Sequence, residues 1–134
     1  MQITPHFKLE EFRCPDGTPY PSQWIKSRLT PLCEQLEILR AALGAAPITV
    51  SSGYRTPEYN RKIGGARQSQ HLEGRAADII VKGRHPDFVH DRALALHVGG
   101  VLKLGGLGQY PTFTHLDIRP GTRLARWGGS RAKN

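Results

Sequence analysis

Apolar residues in the first third of the chain recur with a helical period. Ile25, Leu29, Leu32, Leu36, Leu39 and Leu43 are separated alternately by four and three residues, which lines them along one face of a helix. Thr30-Pro31 interrupts the stripe as a cap followed by a first-turn proline, so the main helix is predicted over 31–43, closed by Gly44, with a shorter helical turn over 22–29. Upstream, Pro15, Gly17, Pro19 and Pro21 break every period, and residues 1–21 read as a loop-rich arm that Phe7, Leu9 and Phe12 could pin to the domain.

The pattern then alternates between strand and helix. Ile48, Thr49 and Val50 form a β-prone run within 47–52, and Thr56-Pro57 opens a second helix that runs to about Ile63 and stops at Gly64-Gly65. Residues 75–81 read as a buried strand, 86–98 as a helix, and 105–109 and 113–118 as two further strands, with Arg126-Trp127 as a short edge. This order predicts an α+β fold with a small, mostly antiparallel sheet flanked by helices. It is read as a single domain over 1–134, with a basic tail from about 128 to 134.

Bulk properties narrow the class. A chain of 134 residues with 38% apolar and 22% charged residues is one globular domain. No run of eighteen apolar residues is present, so no membrane insertion is expected. The opening Met1–His6 lacks a basic stretch followed by an apolar one, so no secretory signal is expected and synthesis in the cytoplasm is. The formal net charge of +8 favours polyanions and leaves nucleic acid, an anionic membrane face and an anionic cell wall open. Part of it is carried after residue 118 by Arg119, Arg123, Arg126, Arg131 and Lys133. Cys14 and Cys33 lie nineteen apart with no CxxC pair, so a structural zinc site built on them is not expected, and buried or free thiols are expected over a disulfide between them.

Two segments carry candidate chemistry. In 69–78 a histidine, His71, leads through Gly74 into a strand whose Asp78 lies between Ala77 and Ile79. A carboxylate in such surroundings needs compensation, by a metal cation or an arginine. In 113–118, strand alternation puts Phe113, His115 and Asp117 on one face, with His115 and Asp117 roughly 7 Å apart. Two histidines and a carboxylate would leave a tetrahedral zinc one open position, as catalytic sites do. Each piece also has an ordinary reading: a strand histidine as a packed core residue, Asp78 as an arginine's partner. Tyr54, Tyr110 and Trp127 read either as cleft lining or as core, and His85, His90 and His97 as surface or packing residues.

The stretch Ser69-x-His71-x-x-Gly74-x-Ala76-x-Asp78 resembles the signature of the LAS zinc peptidases. Ser51-Ser52-Gly53-Tyr54-Arg55-Thr56 before it and His115-Leu116-Asp117 after it resemble the same family in the same order, over roughly 6–128. The resemblance implies a LAS/hedgehog-like α+β fold, zinc held by His71, Asp78 and His115, and hydrolysis of peptidoglycan stem peptides or cross-links, as in D,D-carboxypeptidases and phage endolysins. It further implies that Arg55 binds substrate and polarises its carbonyl, and that Ser69 hydrogen-bonds the substrate. Many members carry a Glu or Asp three residues before the last histidine as general base, where this chain has Thr112. Asp117 is then the expected base, its other role being to orient His115 or pair with Arg119. Anionic wall polymers are a further expected partner, reached by phage-type release or as part of a virion. A non-catalytic zinc module of the wall or virion is the alternative, and nucleic-acid binding, motivated by charge alone, ranks last.

Overall fold

The computed structural model describes residues 1–128; the tail beyond, with Arg131 and Lys133, lies outside the described residues. Helix α1 spans Thr30–Ala42, α2 Pro57–Lys62 and α3 Pro86–Val98. Ahead of α1 the chain makes a 3-10 turn at Ser22–Trp24 and a π turn at Ile25–Leu29, running straight into the helix. Pro31 has no amide hydrogen for the usual bond four residues back, and the wider turn, with the Thr30 amide donating to the Ile25 carbonyl, absorbs the loss. The predicted leucine stripe is the core face: Leu29, Leu32, Leu36 and Leu39 are fully buried, each contributing about 1.5–3 kcal/mol. At α2, the Thr56 hydroxyl accepts the Tyr59 amide and Pro57 occupies the first turn, as the sequence predicts.

Among the described residues, seven strands form two sheets. Strands β1 (Gln2–Thr4) and β2 (Phe7–Lys8) pair in an N-terminal hairpin. The main sheet has the order β3 (Ile48–Ser52), β4 (Ala76–Val81), β6 (Thr114–Asp117), β5 (Gly106–Gln109), β7 (Ala125–Gly128). Its first three pairings are antiparallel, but β7 runs parallel to β5. The sheet is therefore mixed, not the mostly antiparallel one expected. The cause is topological: after β6 the chain reverses and passes over β5 to its outer edge, so β7 opposes β6 and matches β5.

One sheet face, carrying Ala77, Ile79, Val81, Leu107 and Leu116, joins the leucines of α1 and Val89 and Ala93 of α3 in a single core. Alternation turns the intervening residues to the opposite face. The arm also departs from its loop reading: besides the hairpin it makes a 3-10 turn at Leu9–Phe12, and the Tyr54 amide donates to the Phe12 carbonyl at 2.9 Å. Phe7 and Phe12 are buried in the core, so the expected anchors do hold the arm.

Candidate metal centre

The strand register aligns one row across all five strands: Ser52 opposite Asp78, Asp78 opposite His115, His115 opposite Gly108, and Gly108 opposite Trp127. Asp78 and His115 meet because they are cross-strand partners on the face turned away from the core. His71 reaches them from the turn before β4, where the Gly74 amide donates to the His71 carbonyl and the Arg75 amide to that of Gln70. Gly74 has φ +67°, and a Cβ there would fall 2.7 Å from the Tyr20 hydroxyl, which donates to the Gly74 carbonyl at 2.6 Å. Only glycine meets both demands.

The ring protons of both histidines are committed away from Asp78. His71 Nδ1 donates to the Gly53 carbonyl at 2.7 Å, leaving Nε2 to face Asp78 Oδ1 at 3.1 Å. His115 Nε2 donates to Asp117 Oδ2 at 2.7 Å, leaving Nδ1 to face the same Oδ1 at 3.1 Å. Three electron-rich atoms thus converge, all within 4.8 Å of one another. Either a proton on His115 Nδ1 or a cation among the three resolves that repulsion. Tetrahedral zinc with bonds of about 2.0–2.2 Å sets its ligand atoms roughly 3.4 Å apart, so the donor set fits it in both type and spacing. The outward hydrogen bonds fix tautomer and ring orientation, as in metal sites generally.

Charge follows the same geometry. Burial works against ionised Asp78, yet the flanking imidazoles outweigh it and bring its pKa to about 2. Burial dominates at His71 and lowers its pKa. At His115 burial is overcome by the carboxylates of Asp117 and Asp78, which raise it to about 9.

The other expected residues are close by. Arg55, 3% exposed, donates from Nη2 to Asp78 Oδ2 at 3.4 Å, from Nη1 to Asn60 Oδ1 at 3.2 Å and from Nε to Ser52 Oγ at 3.0 Å. The Ser69 hydroxyl oxygen accepts the His71 amide at 3.2 Å, a turn-forming bond. Asp117 lies on the far side of the His115 ring from Asp78. It also accepts from Arg119 Nη2 at 2.7 Å and Nε at 2.9 Å, and those contacts hold its pKa far below the usual carboxylate range although burial opposes them. His85, His90 and His97 stand apart from the metal group; His85 caps α3, and His97 accepts the Leu104 amide.

Asn60 was not singled out from sequence, and Trp127 was read there as cleft lining or core. Asn60 bridges Arg55 to the Ala66 carbonyl and lines a cavity of about 280 Å³ with Pro57, Arg61, Gly65, Arg67 and Leu72. Trp127 lies with its ring 5.0 Å from that of His115 and donates from Nε1 to the Tyr110 hydroxyl at 2.8 Å.

A family model described as Peptidase M15 matches residues 5–117. A zinc D-Ala-D-Ala carboxypeptidase of Streptomyces albus G is 44% identical over 45 residues, a stretch covering 34% of this chain and 18% of that protein. The similarity thus spans under a fifth of that relative's length.

Proposed function

Because the chain belongs to the peptidase M15 family, we propose that it is a zinc peptidase hydrolysing peptide bonds in bacterial peptidoglycan stem peptides or cross-links. The observation that carries this reading is the convergence of His71 Nε2, Asp78 and His115 Nδ1, with both remaining ring nitrogens donating outward. Zinc bound there supplies Lewis acidity and makes water nucleophilic near neutral pH.

The chain's own residues do the rest. Arg55, held by Asn60, Ser52 and Asp78, presents a fixed positive charge beside the ligands and polarises the scissile carbonyl. Ser69 keeps its hydroxyl proton to donate to substrate while its oxygen shapes the turn. Asp117 is a positioning residue: its carboxylate orients His115 and is neutralised by Arg119, away from the reacting side. Arg61 and Arg67 in the adjoining cavity suit a carboxylate of the stem peptide. The net charge of +8 favours anionic wall polymers, reached by phage-type release or from a virion.

The commitment of Asp117, together with Thr112 in place of an acid, favours a second reading: a non-catalytic zinc module of the wall or virion. Mass spectrometry of peptidoglycan digests separates the two. New amino termini or released D-amino acids, abolished by chelator and by His71→Ala, are expected, and their mass identifies the bond cut. Zinc-loaded protein that releases nothing from any peptidoglycan type leaves the binding module standing instead.

A further inference from the structure

The hairpin joining β5 to β6 carries a polar group that the reading above leaves unused. Tyr110 follows β5 and continues its alternation, so it shares the sheet face of Gly108 and His115. Its ring stacks on Phe113 across the turn, with centroids 4.4 Å apart and planes 15° from parallel. Its hydroxyl oxygen accepts from Trp127 Nε1 at 2.8 Å. Trp127 is itself wedged in place, since a Cβ on Gly108 would come within 2.7 Å of that nitrogen. Indole nitrogen only donates, so the bond leaves the tyrosine proton to be given elsewhere.

Three observations bear on where that proton can go. The Trp127 ring that fixes Tyr110 lies 5.0 Å from His115. The charges of Arg55 and Asp78 both act on the phenol. Tyr110 is 7% exposed, and among the described residues nothing accepts its proton. Burial raises its pKa, against the Trp127 bond, so the hydroxyl is protonated at neutral pH and serves as a donor, not a base.

Resting on the peptidase reading, we infer that Tyr110 is a catalytic residue whose hydroxyl donates a hydrogen bond to the scissile carbonyl oxygen as it becomes an oxyanion, sharing that oxygen with Arg55. When water adds to the carbonyl carbon, a new C–O bond forms, the C=O π pair moves onto the oxygen and the Tyr110 hydrogen bond strengthens. The water's proton passes to bulk water, and the C–N bond then breaks as the leaving amine takes a proton back from it. No proton leaves the tyrosine, and nothing is oxidised or reduced. Trp127 is a positioning residue that acts through Tyr110, and a donor within a hydrogen-bonded chain is a stronger donor.

The test compares Tyr110→Phe and Trp127→Phe with the zinc-loaded wild type. Loss of one oxyanion donor lowers kcat by about 10²–10³, so Tyr110→Phe is expected to show that fall with KM little changed and zinc content intact. The second readout is binding of a phosphinate dipeptide, whose tetrahedral phosphorus replaces the scissile carbonyl. Its affinity is expected to drop tenfold or more in Tyr110→Phe, while affinity for the cleaved product stays put. Trp127→Phe is expected to give a smaller kcat loss in the same direction, and it carries the test should Tyr110→Phe fail to fold. Unchanged kcat and phosphinate affinity in the variants, with chelator still silencing the wild type, overturns the role of Tyr110 alone. A zinc-loaded wild type that neither cleaves peptidoglycan nor binds the phosphinate overturns the peptidase reading and this inference with it.

Discussion

Two residues beyond His115 on the same strand face, the Asp117 carboxylate is shared between the imidazole Nε2 and the Arg119 guanidinium. A group so placed acts on the metal through the ring it orients, and removing such partners weakens metal binding by about 10–100-fold. Asp117→Ala is expected to lose zinc affinity in that range, measured by competition with a chromophoric chelator, and to regain most of its turnover at saturating zinc. A general base would give the reverse pattern: normal affinity with turnover abolished at any zinc level. The thiols offer a separate test. Cys14 and Cys33 are free and fully buried, and burial pushes the Cys33 thiol up to about 12. Thiolate is the reactive form, so with its folded pKa raised Cys33 gains reactivity only as pH climbs toward 12. Native protein at pH 8 is expected to react negligibly with Ellman's reagent and to show both thiols in denaturant; a fast native reaction contradicts the burial. At this scale His71, Asp78 and His115 were legible chiefly because their motifs resemble a known family's. Spacing alone left a packed histidine and an arginine partner open, and the β4–β6 pairing that joins Asp78 to His115 spans 37 residues. Tyr110 and Trp127 were left between cleft lining and core, because their contact depends on a parallel strand pairing that no local period encodes.

Among the elements, the helices and central strands were legible because each satisfies its own period and caps: the leucine stripe of α1, Thr56-Pro57 at α2, the apolar run of β4. The N-terminal hairpin was not, since β1 and β2 have three and two residues, too few to show alternation among prolines and glycines. The hairpin and the turn after it are held by tertiary contact. Gly53 is where that contact is closest: a Cβ there would lie 2.7 Å from Phe12 Cα and 2.9 Å from its carbonyl oxygen, both backbone atoms. Gly53→Ala therefore has to displace the arm, an overpacking expected to destabilise the fold by about 1–3 kcal/mol. Because the Gly53 carbonyl also accepts the His71 ring proton, the same change is expected to weaken zinc binding. Thermal melts and chelator competition on one sample check both effects. An unshifted melting temperature would mean that the arm does not bear on residues 52–54 as described.

For the molecule as a whole, the metal centre is the point where separate parts of the chain are tied together. The three proposed ligands come from the 69–74 turn, from β4 and from β6, and Arg55 brings in the segment leading to α2. The cross-strand partners Asp78 and His115 are preformed by sheet pairing, whereas His71 depends on its turn and on the Gly53 carbonyl. An ion that binds only when all three meet stabilises the native state by mass action: about 2.7 kcal/mol at a free concentration of 100 Kd and about 4.1 at 1,000 Kd. For a chain of this length, between the size classes usually quoted, about 4 °C of melting temperature corresponds to 1 kcal/mol. Zinc-loaded protein is therefore expected to melt roughly 11–16 °C above the same protein in excess chelator, and re-adding zinc is expected to restore the difference. His71→Ala removes the ligand that sheet pairing does not supply, and its melting temperature is expected to ignore the chelator. If wild type and His71→Ala responded alike, the ion would not be held by this turn and sheet together, and the shared centre would lose its physical basis.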